Sequence, residues 1–169
     1  MSILAAFPGS FNPPTVAHLA MAEATVRQCG VDRVDLVLSQ STIGKEHVVR
    51  PTIEERAEVL RAVAATRPWL DVVVTDHRLL ADIAEGYDVL ILGADKWEQV
   101  LDESFYESAS HRDDAVARLP RLAIARRLEH AVPESCVVLD IDVGHISSTA
   151  ARAGARELML PEAVRSGHW

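Results

Sequence analysis

Residues 2–19 read SILAAFPGSFNPPTVAHL, and the order of residue types in that stretch decides the fold. Residues 2–7 form an apolar run with the length of a short buried strand. Pro8-Gly9 breaks it, Pro13-Pro14 follows, and Thr15 is of the type that opens a helix. Beyond it Leu19, Ala22, Val26 and Cys29 recur at spacings of three and four along one face, with Gly30 as a natural stop. A strand that turns through a glycine into an amphipathic helix is the opening of a β-α-β unit.

The same alternation continues downstream. Residues 33–39 (RVDLVLS) predict a second strand, and Thr52 with Glu55 three residues later has the spacing of a capping box. In that helix Ile53, Ala57, Leu60 and Ala64 form the expected buried stripe, with Arg56 and Glu58 off it. Residues 71–75 and 88–92 read as strands with a short helical segment at 79–84 between them, and 121–125 and 136–140 supply the last two. Strand, helix, strand, helix at this spacing predicts an α/β protein with a parallel sheet covered on both faces. A chain of 169 residues without repeats or low-complexity segments is expected to form one domain over residues 1–169. The long polar stretch 103–115 (ESFYESASHRDDA) is expected to be a surface loop of the kind that serves as a lid.

Composition excludes several classes of function. No apolar run approaches the ~18 residues that span a bilayer, and residues 1–7 lack basic residues ahead of their apolar stretch, so no secretory signal is read there. Two cysteines, Cys29 and Cys136, make neither a disulfide framework nor a metal-ligand pattern, as expected of reduced thiols in the cytoplasm. A formal net charge of −8 argues against partners that are nucleic acids or anionic membranes. It leaves room for a small anion held by a few well-placed cations.

In open parallel sheets ligands bind beyond the carboxyl ends of the strands, beside helix starts. Two stretches have that setting. In residues 9–19, Gly9 lets the backbone approach a ligand closely, and Thr15 and His18 border the positive end of a helix, where phosphate is favoured. A cationic His18 is unfavourable there unless an anion joins it. In residues 144–152 (GHISSTAAR), Ser147, Ser148 and Thr149 offer caps and hydroxyls, and Arg152 returns to the face of Ser148 one turn on. Neither stretch holds a carboxylate. Neither the kinase and GTPase phosphate loop nor the G-x-G-x-x-G dinucleotide fingerprint is present.

Together, GSFNPPTVAHL and ISSTAAR resemble the signature motifs of the nucleotidylyltransferase superfamily, and the spelling is most similar to nicotinamide and nicotinate mononucleotide adenylyltransferases. Leu92-Gly93-Ala94-Asp95 extends the resemblance. It implies a Rossmann-like doubly wound fold that joins the AMP of ATP to the phosphate of a mononucleotide and releases pyrophosphate in NAD biosynthesis. By resemblance, Thr15 and His18 are the phosphate-contacting pair, and Gly9, Ser10 and Phe11 border the acceptor. Gly93 and Asp95 face adenosine, and Ile146, Ser147, Ser148, Thr149 and Arg152 cradle the β,γ-phosphates. Lys45 is placed like the family's substrate-phosphate lysine. Mg²⁺ is expected on the ATP phosphates rather than on a protein site.

The chain departs from that pattern around the acceptor. Ala17 stands where many members have Gly. Residues 76–87 (DHRLLADIAEGY) are shorter than the segment that carries the family's Tyr-Thr loop. Phe105 and Tyr106 occupy the region of the stacking Trp, while Trp97 falls only two residues after Asp95. The acceptor therefore stays open between nicotinamide mononucleotide, nicotinate mononucleotide and another phosphate such as phosphopantetheine. A non-catalytic nucleotide-binding domain is the reading from another class. The number of subunits, a homo-oligomer included, also stays open.

Overall fold

The computed structural model describes residues 1–40 and 50–169. The chain runs β1 (Leu4–Pro8), α1 (Val16–Cys29), β2 (Arg33–Ser39), α2 (Ile53–Ala64), β3 (Leu70–Thr75), α3 (Leu80–Ile83), β4 (Val89–Gly93), α4 (Ala94–Leu101), α5 (Ala109–Ala117), β5 (Arg121–Ala125), β6 (Val137–Val138), α6 (Ser148–Arg152) and α7 (Pro161–Ser166). The six strands form one sheet in the order β3-β2-β1-β4-β5-β6, and every pairing is parallel. This is the doubly wound, single-domain fold that the alternation predicts. No helix among the described residues is long and apolar enough to cross a membrane.

The two-residue period of the strands sorts the core into two layers. Ala5 and Phe7 of β1, Val34, Leu36 and Leu38 of β2, and Val89 and Ile91 of β4 pack under α1 and α2. Ala6, Val37, Leu90, Leu92 and Ile124 face the other way, onto Ile83, Trp97 and Val100 of α3 and α4. Each fully buried Val, Leu or Ile contributes ~1.5–3 kcal/mol. A one-residue register slip would therefore move a whole strand's apolar set to the wrong layer.

Local signals hold at the helix ends. Thr15 is the N-cap of α1, and Gly30 ends it in the left-handed conformation, at φ 67°. Thr52 and Glu55 form the expected capping box, with Glu55 N donating to Thr52 Oγ1 at 3.1 Å. Two expectations need correction. Arg56 is not off the buried stripe of α2: it is 3% exposed, because the loop after β1 covers that side of the helix. The stretch 103–115 is not one loop; it holds a 3₁₀ turn at Glu103–Phe105 and most of α5, capped by Ser108, whose Oγ accepts from His111 N. A Ser N-cap outweighs the polarity of the segment, which is what a solvated helix face looks like in sequence.

Candidate active site

The strand order reverses between β1 and β4, so the loops that leave their carboxyl ends diverge to opposite faces and leave a crevice. A cleft of about 510 Å³ occupies that position. Gly9, Ser10 and His18 line it from the β1–α1 side, and Gly93 and Asp95 from the end of β4. Ser147, Ser148, Thr149 and Arg152 close the third side, and Phe105 and Tyr106 stand at the α4 end. The two distant motifs therefore share one cavity. Lys45 lies outside the described residues.

The start of α1 is locked by its own side chains. The backbone N–H of Thr15 donates to His18 Nδ1 at 2.9 Å, and Thr15 Oγ1 lies 2.9 Å from the same nitrogen. A backbone amide can only donate, so Nδ1 is the unprotonated nitrogen and Nε2 carries the ring's N–H. A neutral ring with one fixed donor removes the conflict of a cationic histidine at a helix N-terminus. Thr15 itself is 1% exposed and does not line the cleft; it acts on it through His18.

Phe11 sits beneath this arrangement. Its ring is 1% exposed, 5.5 Å from Phe7 and 5.0 Å from His18 between centroids. It supports the loop from below rather than presenting an aromatic face to the cleft. Its backbone has φ 43°, a left-handed conformation that costs a non-glycine residue about 1–2 kcal/mol and that burial of the ring offsets. Gly9 suits the same packing, since a Cβ there would lie 3.0 Å from Phe11 Cζ and the ring would have to give by a few tenths of an ångström.

At α6, Ser147 is the cap, its Oγ accepting from Ala150 N at 3.0 Å. Ser148 Oγ donates to Pro13 O at 2.8 Å. Arg152 Nη1 donates to Asn12 O, and Nη2 reaches Thr149 Oγ1 at 3.4 Å. The helix is only five residues long, so its dipole is small; hydroxyls and a guanidinium are what it brings to the cleft. Ile146 is buried and offers its carbonyl, not its side chain: Arg127 Nη2 donates to it at 3.1 Å. His145 is exposed, 3.9 Å from Asp142.

The profile of the cytidylyltransferase-like family matches residues 6–154. The chain belongs to that family. As a member it is a nucleotidyltransferase. It is 29% identical to a probable nicotinate-nucleotide adenylyltransferase of Salinibacter ruber, over 95% of this chain and 91% of the relative. It is 25% identical to a probable nicotinate-nucleotide adenylyltransferase of Sulfurimonas denitrificans, over 96% and 90%. In fold it is similar to Plasmodium falciparum nicotinic acid mononucleotide adenylyltransferase complexed with NaAD, with a TM-score of 0.72 at 14% identity, covering 98% of this chain and 94% of that one.

Several cleft residues of this family member escape a motif reading. Arg127, two residues past β5, forms an ion pair with Asp95 (Nε–Oδ1 3.3 Å) and so ties the start of α4 to the lead-in of α6. Its place at a strand's carboxyl end was the available signal. Arg78, Lys96 and Gln99 also line the cleft. Asp95 is the one carboxylate among the described lining residues. Tyr106 donates its hydroxyl to Val100 O at 2.9 Å, which fixes the ring's edge, and burial pushes the phenol above its ordinary pKa. Trp169 Nε1 donates to Asn12 Oδ1 at 2.6 Å, a contact across 157 residues that no local pattern announces.

Proposed function

We propose that this nucleotidyltransferase transfers the adenylyl group of ATP to the phosphate of nicotinate mononucleotide. The observation that carries the reading is the convergence of His18, the Ser10 loop and the Ser148–Arg152 turn on one cleft at the sheet's switch point. An oxygen of the acceptor phosphate attacks the α-phosphorus of ATP. The bond from that phosphorus to the bridging oxygen breaks, and pyrophosphate leaves with the electron pair. The nucleophile is already anionic, so no general base is needed. The barrier lies in bringing two polyanions together and in charge on the leaving group, which positioning and fixed donors lower.

In this reading the Nε2–H of His18 donates to the α-phosphate, and Thr15 holds the ring in that tautomer. Arg152, Ser147, Ser148 and Thr149 take the departing pyrophosphate. Gly93 and Asp95 border the adenosine, and ATP enters carrying Mg²⁺ on its phosphate oxygens. Phe105 and Tyr106 stack on the acceptor's ring. The names of the relatives support nicotinate over nicotinamide.

Pyrophosphate release from Mg-ATP, measured with nicotinate mononucleotide, nicotinamide mononucleotide and phosphopantetheine in turn, tests the reading. The expected result is turnover with nicotinate mononucleotide at a kcat/KM at least about tenfold above the amide, the scale of one charged contact. Turnover with phosphopantetheine alone, or ATP binding without turnover on any acceptor, would overturn it.

A further inference from the structure

Arg56 is a buried cation that the proposed chemistry does not use. It lies near the start of α2 and is 3% exposed. Its guanidinium spends its donors on main-chain carbonyls: Nη1 on Ser10 O at 2.7 Å, and Nε on Pro51 O at 3.2 Å and Thr52 O at 3.4 Å. No carboxylate among the described residues pairs with it, and burial pulls its pKa below the ordinary arginine value with no acid to raise it. Asp35, also buried, is treated differently: Arg33 Nε lies 2.8 Å from it and Tyr87 donates its hydroxyl at 2.8 Å.

A desolvated cation without a counter-charge is costly to bury and adds nothing to an apolar core. The charge therefore answers to something other than packing. What it holds is the Ser10 carbonyl, 46 residues away in the loop on the cleft's floor. Attachments on either side of it include Gly9 N donating to Val37 O at 3.1 Å and the packed ring of Phe11. Between those anchors the Ser10–Phe11 peptide is held at its carbonyl by Arg56. Its carbonyl dipole, turned into a cleft for two polyanions, would place negative charge where phosphate oxygens arrive. A guanidinium fork draws that carbonyl down and, through Pro51, braces it against the start of α2.

We propose that Arg56 is a positioning residue, whose fork turns the Ser10 carbonyl away from the cleft and sets the loop for nucleotide phosphates. The identity of those phosphates rests on the function proposed above; the clamp on the loop does not.

Two variants of the full chain test it, Arg56→Lys and Arg56→Met. Lysine keeps the charge but has one donor centre and cannot span Ser10 O and Pro51 O together. Methionine keeps the buried stem. Amide hydrogen exchange of residues 9–12 is measured without ligand, and kcat and both KM values with ATP and nicotinate mononucleotide. The expected result is exchange at these residues faster by about tenfold or more in both variants, with exchange in β1, α1 and α2 unchanged, the loss expected for one charge-assisted bond. Nucleotide KM rises more than kcat falls, and lysine does not rescue it. Unchanged exchange at residues 9–12, or a uniform rise across α1 and α2, overturns the clamp. Should the methionine variant fail to fold, the lysine variant decides alone. A wild-type chain inactive on every acceptor overturns the proposed function, while the exchange result still judges Arg56.

Discussion

The start of α1 and the start of α6 border the same cleft, yet they are held by opposite means. At α1, Thr15 and His18 grip each other across three residues, on a helix of 14 residues. At α6, a five-residue helix draws its order from elsewhere: Ser148 and Arg152 reach back 135 and 140 positions to the carbonyls of Pro13 and Asn12. Leu160 N adds a third bond, to Pro14 O, and Trp169 a fourth, to the Asn12 side chain. The first site's side-chain bonds are self-contained, with Thr15 also bridging Met159 along the backbone, whereas the second exists only when the chain's far end docks on the first loop. One helix start sets a donor; the other is a strap that must close before its own donors are placed.

The largest test of this contrast is His18→Glu. Glutamate at the third helical position can still accept from the Thr15 N–H, so the cap survives and stability should stay within ~0.5 kcal/mol in a urea melt. Removing the Nε2–H and adding a negative charge beside phosphate should lower kcat/KM by about 10²–10³ or more. Comparable losses of stability and activity would mean that His18 only caps. Next comes Arg152→Lys. A lysine cannot both hold Asn12 O and face the cleft, so kcat/KM should fall by roughly 10–100-fold, and the drop should appear in kcat if the group acts on the leaving pyrophosphate. A change confined to the acceptor's KM would place Arg152 on the other substrate. The smallest effect belongs to Ser148→Ala, which deletes the hydroxyl bonded to Pro13 O. It should cost about 0.5–1.5 kcal/mol, or roughly 1–6 °C in melting temperature, and should open the α6 end to exchange while leaving α1 protected. Equal loosening of both helix starts would break the distinction between them.

Much of the molecule was legible in advance because its signals are short-range. Strand 33–39 matches β2 residue for residue, since five successive buried positions with two β-branched residues read only one way. The Thr15, Thr52 and Gly30 punctuation held because caps depend on groups three residues apart. Convergence of the two motifs followed from the topological rule for parallel sheets. The burial of Arg56 is not legible, because helical period tells which face a residue is on, not what will cover that face. Segment 103–115 was misread because its polarity reports solvent, and solvent bathes helices and loops alike.

By itself the sequence determined the strand–helix alternation, the parallel sheet and the two carboxylate-free stretches that border one cleft, because strand and helix periods and caps are properties of neighbours along the chain. Only the tertiary structure decided the tautomer-fixing contact of His18 within the cleft, the burial of Phe11 beneath the loop, the Arg127–Asp95 tie and the straps from Ser148, Arg152 and Trp169. Except for the cap at His18 and the packing of Phe11 on Phe7 and His18, these join positions tens of residues or more apart. The straps from Ser148 and Arg152 end on main-chain carbonyls, which every residue carries alike and which no sequence pattern can mark.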